Sequence, residues 1–398
     1  MRKPPALYSR QDIEQLCARA VDPDETVSKP AVQHLFSDLV ERMSDSFLFR
    51  QIVLYDRVFT QVIDYCRRLP AGDGLDSLLK RFMLLDENAI LARKRKIQRV
   101  RRFPARAARQ VRKICVLSRI TVGADVAVTG VVLGRLTRIF PGVNIVLIGP
   151  QKLAEVFGGH PDIKIRDVPY ARRGGLLGRL YAWVELVRVI DDERHDLRGE
   201  EFLVIDPDSR LTQLGLLPVV PDDQGYYFFP SRTYAKSRTG RMGELAANWM
   251  DDVFGKAKEK AYPEIFIHKD MRVLGQACIE KLSYNRSRPV ISINFGVGGN
   301  NNKKVSADFE VKLLEAIWQR GAAILLDKGF GLEVDMMNAL ISRLKSKGIS
   351  VLEVDQGNIV RLSQEQTWSC DVMTWEGGVG VFGALTACSS LYIGYDSG

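Results

Sequence analysis

Hydrophobic residues recur along the first ninety residues of the chain with the spacing of amphipathic helices. The stretch AVQHLFSDLVERMSDSFLFRQIVLYDRVFTQVIDYCRRL has apolar residues three and four positions apart, and Pro70-Ala71-Gly72 follows it as a stop signal. The same spacing continues from Leu75 towards Pro104. The pattern therefore predicts a helical N-terminal extension with a basic linker, residues 1–112.

From Ile114 onward the pattern changes to short, fully apolar runs that alternate with amphipathic stretches. In the first series the runs are ICVLSRITV, NIVLIGP, IKIRDVPY and EFLVIDPDS, with YYFFP at an edge, and in the second series RPVISINFG, AAILLDKG, ISVLEVD and SLYIGYDSG. Strands buried on both faces are typical of parallel sheets covered by helices. The pattern predicts an α/β fold with two Rossmann-like domains, residues 113–270 and residues 271–398, the second with four strands in order.

Polar residues that follow an apolar run are candidate site residues, because ligands bind at the carboxyl ends of parallel strands. Asp125, in VGADVAVTGVV, follows the first run at the start of a helix. Its carboxylate has two interpretations that can coexist. It is placed to act as a general base, and it is also placed to cap the helix, which is the commoner use of such an aspartate.

A second candidate is the loop FGVGGNNNKKV, which follows the first strand of the second series. Its backbone N–H groups at Gly298, Gly299 and Asn300 can cradle phosphate oxygens, and Lys303 or Lys304 supplies positive charge. The alternative is a solvated loop. Glu333, in DKGFGLEVD, either caps a helix or binds ribose hydroxyls. DPDSR at 206–210 ends another strand and could reach the same cleft as these loops.

The charge balance favours anionic partners. The chain has 57 Lys and Arg against 48 Asp and Glu, a net charge of +9, and residues 92–114 carry eleven Lys and Arg without an acid. This segment is interpreted either as a solvated helix face with a linker or as a surface that holds the protein against anionic lipid. It lacks the interleaved aromatics of nucleic-acid binders, so no nucleic-acid partner is expected.

Other features of the composition exclude several classes of protein. No stretch reaches the roughly 20 apolar residues of a membrane span, and no apolar signal segment begins the chain. The six cysteines are scattered without a CxxC pair, which predicts buried thiols in a reducing cytoplasm. With only four histidines, the chain is expected to hold neither a metal centre nor another cofactor.

Taken in order, four segments resemble glycosyltransferase family nine, the ADP-heptose:lipopolysaccharide heptosyltransferases. The segments are VGADVAVTGVVLGRLTRIFPGVNIVLIGP, the loop ending in Lys303-Lys304-Val305-Ser306 before DFEVKLLEAI, LLDKGFGLEVD, and GALTACSSLYIGYDSG. The resemblance covers roughly residues 113–398. Ala124 separates Gly123 from Asp125, and Val305-Ser306 stand where the family has Trp-Pro.

The resemblance implies a GT-B fold, in which two Rossmann-like domains face a cleft. It implies an inverting, metal-independent transfer of a sugar from a nucleotide-diphosphate donor, with Asp125 as the base. Lys303 would contact the phosphate, Glu333 the ribose, and Asp396, Ser397 and Gly398 the diphosphate and sugar. Because the family continues beyond this motif, the chain is expected to be a fragment of a longer protein.

The resemblance also implies a glycan or lipid-linked acceptor of the lipopolysaccharide type. It places the protein in a bacterial cytoplasm, held peripherally at the inner membrane face through residues 92–114. The alternative function is a non-catalytic GT-B-like binding or scaffold protein, whose helical N-terminal region docks a partner.

Overall fold

The computed structural model describes residues 8–170, 175–234, 240–284, 287–297, 304–366 and 368–395. Two compact units make up the chain. The first contains the described residues up to Leu153 together with Pro161–Glu264, and the second contains Ala154–His160 and Ile265 onward.

The N-terminal region is helical, as predicted. Its helices are α1 Arg10–Ala20, α2 Glu25–Gln33, α3 Glu41–Ser44, α4 Phe49–Arg67, α5 Asp73–Arg81 and α6 Glu87–Ile97, with a π-helical segment at His34–Val40. Side-chain caps fix several of the starts: Ser9 accepts the N–H of Asp12 before α1, and Asp86 accepts that of Ala89 before α6. Pro70–Gly72 forms a 3-10 turn directly after α4, where the stop was predicted.

The first unit contains a parallel sheet of five strands. The strands are β1 Lys113–Leu117, β2 Asn144–Gly149, β3 Ile163–Asp167, β4 Phe202–Asp206 and β5 Tyr226–Phe228, in the order β3-β2-β1-β4-β5. The helices that follow these strands along the chain are α7 Val122–Ala124, α8 Gly130–Ile139, α9 Leu153–Phe157, α10 Leu176–Arg194 and α11 Met242–Phe254. β5 lies at the edge of the sheet, as predicted for YYFFP.

The N-terminal helices and the first sheet share one hydrophobic core. Leu35, Phe36 and Phe59 of the helical region belong to the same buried cluster as Cys115 of β1 and Trp183 of α10. The N-terminal helices therefore pack against the rest of the first unit through this shared core.

The second unit also contains a parallel sheet of five strands. They are β6 Val290–Asn294, β7 Ala323–Asp327, β8 Val351–Asp355, β9 Val372–Glu376 and β10 Leu391–Gly394, in the order β10-β6-β7-β9-β8. Its helices are α12 Lys269–Leu282, α13 Ala307–Gln319, α14 Leu332–Ser346, α15 Ile359–Gln364 and α16 Val379–Ala387. The two helix-flanked parallel sheets confirm the predicted α/β fold.

The prediction of four strands in the second series was wrong, because it omitted β9. This strand, VMTWE, lies between β7 and β8, and its first four residues are buried. Its apolar character is interrupted by Thr374, which is itself fully buried. A run of two apolar residues, a threonine and a tryptophan is too short to stand out from the alternation around it.

The strand order identifies a switch point in each sheet. In the first sheet the chain moves outward from β1 to β3 on one side and from β4 to β5 on the other, so the switch lies between β1 and β4. In the second sheet it lies between β6 and β10, where Gly394 pairs with Asn294. Loops at the carboxyl ends of these strands form the crevices in which open α/β sheets bind ligands.

Within the described residues, no helix combines the length and the apolarity that a membrane crossing demands. The predicted buried thiols are found at Cys17, Cys66, Cys115, Cys278 and Cys370, and Cys388 is partly buried.

Candidate functional site

Asp125 is buried beneath the loop that follows β1. Its Oδ2 accepts the Ser118 hydroxyl at 2.7 Å, and its Oδ1 accepts the Arg119 N–H at 2.7 Å and the Thr129 hydroxyl at 2.8 Å. The residue is only 1% exposed. Thr121 is the N-cap residue of α7. Asp125 follows that helix as the first residue of a π-helical segment, and its carboxylate ties the preceding loop to the helix. Gly123, expected at the end of the strand, lies within α7.

The loop between β1 and α7 adopts an unusual backbone conformation. Ile120 has φ +79, a region that β-branched residues rarely enter, and its N–H donates to the Ser118 hydroxyl at 2.8 Å. The helix that follows contains a π-helical turn, Asp125–Thr129. Strained residues and π-helical turns occur often at functional sites. The carboxylate of Asp125 therefore stabilises a costly loop conformation at the switch point of the first sheet.

Burial raises the pKa of Asp125 above its ordinary value, and the hydrogen bonds from Arg119, Ser118 and Thr129 act in the opposite direction. A carboxylate with a raised pKa binds a proton more readily near neutral pH. This property suits a general base.

Beside this loop, the carboxyl ends of β4 and β5 carry a buried cluster of arginines and aspartates. Asp208 accepts the Ser231 hydroxyl at 2.6 Å and Nη1 of Arg232 at 2.8 Å. Arg119 donates to the same Ser231 at 3.0 Å and to the carbonyl of Pro207. DPDSR thus lies against the loop after β1, because the Ser209 hydroxyl also donates to the carbonyl of Ser118.

The pKa values within this cluster show how its charges interact. Burial lowers the pKa of Arg119 to about 10, and the neighbouring charge of Arg232 acts in the same direction. Burial would raise the pKa of Asp208, but Arg232, Lys94 and Arg119 hold it below its ordinary value. Asp208 is therefore a buried, ionised carboxylate among cations.

The N-terminal helical region contributes directly to this cluster. Nε of Arg232 donates to the carbonyl of Ser44 at 2.7 Å, and Arg210 pairs with Asp45 at 2.9 Å. Lys94, which is 3% exposed, donates to the carbonyl of Leu214. Sequence reasoning missed these partners, since their separation along the chain exceeds 100 residues. The available signal was the polar triplet Ser231-Arg232-Thr233, placed directly after the β5 run.

Several basic residues of the segment 92–114 form ion pairs or hydrogen bonds within the protein. Arg93 pairs with Asp223 at 2.9 Å, Arg101 donates to the carbonyl of Tyr226 at 2.9 Å, and Lys113 pairs with Glu193 at 2.9 Å. Within the described part of the chain, the exposed arginines of this segment with no ion pair or hydrogen bond are Arg95, Arg99, Arg102, Arg106 and Arg109.

In the second unit, polar side chains meet at the carboxyl ends of β6 and β7. Asn294 donates to Oδ2 of Asp327 at 2.6 Å and accepts the Gly296 N–H at 2.6 Å. Glu333, in the first turn of α14, accepts the Val297 N–H at 3.2 Å. Burial raises the pKa of Asp327 to about 6. Glu333 therefore binds the loop after β6 and forms no N-terminal cap of α14, for which Gly331 is the N-cap residue.

Glycine is required where the loop after β7 passes Glu333. Gly329 has φ +69, and a Cβ there would lie 2.4 Å from Oε2 of Glu333. Only glycine combines this backbone conformation with such a close approach. The carboxylate is consequently enclosed by the backbone of the loops after β6 and β7.

Lys304 lies just before α13. Its Nζ is 3.2 Å from Sδ of Met336 on α14. The next residue, Val305, donates its N–H to the Tyr395 hydroxyl at 3.1 Å, which in turn donates to Glu310 at 2.8 Å. The remaining predicted donor residues, which lie outside the described residues, are Gly298, Gly299, Asn300, Lys303, Asp396, Ser397 and Gly398.

No group of three His, Cys, Asp or Glu side chains that could hold a metal ion occurs in the described ranges.

Comparison with known proteins gives similarity of structure only. No protein-family model and no curated protein matches the chain. Among solved structures, it is similar to a glycosyl transferase family 9 protein from Veillonella parvula DSM 2008, with 16% identity, a TM-score of 0.49, and 71% of this chain and 74% of that chain covered. It is also similar to E. coli ADP-heptose lps heptosyltransferase II, with 14% identity, a TM-score of 0.41 and coverage of 72% and 79%. A third similar structure, E. coli heptosyltransferase WaaC with ADP-2-deoxy-2-fluoro heptose, has 12% identity, a TM-score of 0.45 and coverage of 72% and 83%.

Proposed function

We propose that the protein is an inverting, metal-independent glycosyltransferase. It transfers a sugar, with heptose as the first candidate, from a nucleoside-diphosphate donor to a glycan or lipopolysaccharide-type acceptor. The observation that carries the proposal is the placement of Asp125 and Glu333. Each carboxylate lies near the carboxyl end of an inner strand of a parallel sheet, and each belongs to a segment whose sequence resembles the family.

In this proposal Asp125 accepts the proton of the acceptor hydroxyl as its oxygen attacks the anomeric carbon. Three donors already occupy the carboxylate, which has room for about four. The side chain is also buried. An acceptor hydroxyl would take the remaining position, which requires the loop of Ser118 to Thr121 above Asp125 to move and expose the carboxylate.

In the second unit, Glu333 would bind the ribose hydroxyls and Lys304 would contribute positive charge near the phosphates. The sequence resemblance alone suggests donor-binding roles for Lys303, Asp396, Ser397 and Gly398. Departing negative charge on the diphosphate requires fixed donors, which lysine and loop N–H groups provide without a metal ion.

The first test is donor binding by the purified chain. A nucleoside diphosphate or its sugar at 100 times its dissociation constant should stabilise the fold by about 2.7 kcal/mol, which appears as a raised melting temperature. The panel is ADP, GDP, CDP and UDP with their sugar derivatives, with and without EDTA. A chain that binds none of them contradicts the proposal, and binding that requires a divalent metal contradicts its metal independence.

A second candidate function is a non-catalytic GT-B-like binding protein. The burial of Asp125 favours it, because the carboxylate has a complete structural role in the loop after β1. This candidate predicts nucleotide binding without turnover. Release of the nucleoside diphosphate from the bound sugar nucleotide, measured with water and with glycan acceptors, separates it from the transferase.

We also propose peripheral binding to an anionic membrane through the five exposed arginines at 95, 99, 102, 106 and 109. Neutralising three of them, Arg99→Gln, Arg102→Gln and Arg106→Gln, should weaken sedimentation with phosphatidylserine vesicles by about 100-fold, at about 1 kcal/mol per residue. The matched control neutralises the exposed Lys256, Lys258 and Lys269, with the same loss of charge. If both triple variants weaken sedimentation equally, binding depends on the net charge of the protein and not on these arginines, which contradicts the proposal.

A further inference from the structure

The loop after β7 presents an aromatic side chain to solvent in a backbone conformation that requires glycine. Gly329 and Gly331 have φ +69 and +60, and Phe330 between them is 69% exposed. Ordering two glycines has an entropic cost, and the exposed phenyl ring contributes no burial energy in return. Within the described residues, the ring of Phe330 is therefore not explained by packing in the core.

Two further apolar side chains lie next to this turn. Leu332 is 82% exposed and Met336 is 41% exposed, and their spacing of four residues places them on one face of α14. Single exposed apolar residues are normal on protein surfaces, but a contiguous group indicates a binding site. Here the group lies at the carboxyl end of the central strand of the second sheet.

The apolar group is continuous with the polar residues of the candidate donor site. The N–H of Glu333 donates to the carbonyl of Phe330 at 3.3 Å, and Met336 is in contact with Lys304. A nucleoside diphosphate has three parts in the same sequence: a flat base, a ribose with hydroxyls, and phosphates. An aromatic ring, a carboxylate and an amine match these parts in turn.

We propose that Phe330 is the platform on which the base of the donor nucleotide stacks, with Leu332 and Met336 flanking it. The inference deepens the proposed function and rests on it. It assigns recognition of the base to Phe330, to which the family resemblance gives no role. Stacking on an aromatic ring contributes to binding because every base has a π-face. The turn between Gly329 and Gly331 holds the ring of Phe330 while leaving it exposed.

The test compares nucleotide binding by calorimetry in wild type, Phe330→Ala and Phe330→Tyr, with Phe309→Ala as the matched control. Phe309 is also an exposed phenylalanine of the second unit, at 55% exposure. The probes are ADP, GDP, CDP and UDP, together with inorganic pyrophosphate and ribose 5-phosphate, which have no base. We expect Phe330→Ala to weaken the preferred nucleoside diphosphate about tenfold or more and to leave the base-free probes unchanged. Phe330→Tyr and Phe309→Ala should bind as wild type does.

The outcomes distinguish this inference from the proposed function. If wild type binds none of the four nucleotides, the proposed function fails and the platform fails with it. If wild type binds a nucleotide and Phe330→Ala binds it equally well, or if Phe309→Ala loses as much, only the platform is overturned. If Phe330→Ala instead turns a dimer into a monomer at constant nucleotide affinity, the apolar group is a self-association surface and the platform is also overturned.

Discussion

The Asp125→Asn variant should turn over its donor about 10² to 10⁴ times more slowly than wild type, because a positioned general base contributes a rate factor in this range. Its affinity for the nucleoside diphosphate should stay near that of wild type. The substitution is close to isosteric. Its Oδ1 can still accept the Arg119 N–H and the Thr129 hydroxyl, and the Ser118 hydroxyl can reverse to accept from Nδ2. Release of the nucleoside diphosphate from the selected sugar nucleotide measures the effect.

Asp206→Asn is the matched control for this variant. Asp206 is equally buried at the carboxyl end of β4 and also has three donors: the Ser209 N–H at 2.7 Å, and the Thr212 and Tyr226 hydroxyls at 2.6 Å. Burial raises its pKa as well. If Asp125 has only a structural role, both variants lower the melting temperature and reduce turnover in proportion to the folded fraction. A loss of turnover in Asp125→Asn alone, at an unchanged melting temperature, supports the base.

Periodicity predicted the α/β layering, and the positions of most strands follow from it, because strands buried on both faces must be apolar. It could not predict how the polar ends of those strands pair. Asp125 was expected near the helix start, but the sequence did not show that its carboxylate is turned under the loop at Ser118 to Thr121. The direction of that side chain depends on a left-handed Ile120 and a π-helical turn, which no periodic pattern encodes.

The charge of the basic segment illustrates the same limit. A run of basic residues without acids indicates an external anion. In the structure, Arg93 pairs with Asp223, and the buried Lys94 donates to the carbonyl of Leu214. Both partners lie more than 100 residues away along the chain. Charge patterning along a sequence reports only local neighbours, whereas burial depends on tertiary contacts. The shared cleft of the two sheets and the donor roles of the terminal residues stay predictions.

The second large effect is expected for Arg232→Met, which should reduce the free energy of unfolding of the first unit by about 3–5 kcal/mol. Removing the guanidinium leaves the buried Asp208 without its 2.8 Å partner and the carbonyl of Ser44 without its donor. A methionine fills similar volume, so the loss reflects the uncompensated charge. Urea denaturation followed by tryptophan fluorescence measures it, since Trp183 and Trp249, both buried in this unit, contribute to the signal.

A double-mutant cycle with Asp208→Asn separates the ion pair from packing. The Asp208→Asn/Arg232→Met variant lacks both charges and should be less destabilised than the sum of the single variants, because no buried charge is left unpaired. The exposed pair of Arg188 and Glu185, 3.4 Å apart in the same unit, supplies the control, and Arg188→Met should change stability by less than about 1 kcal/mol. Additive single effects at Asp208 and Arg232 would mean that the two residues act independently.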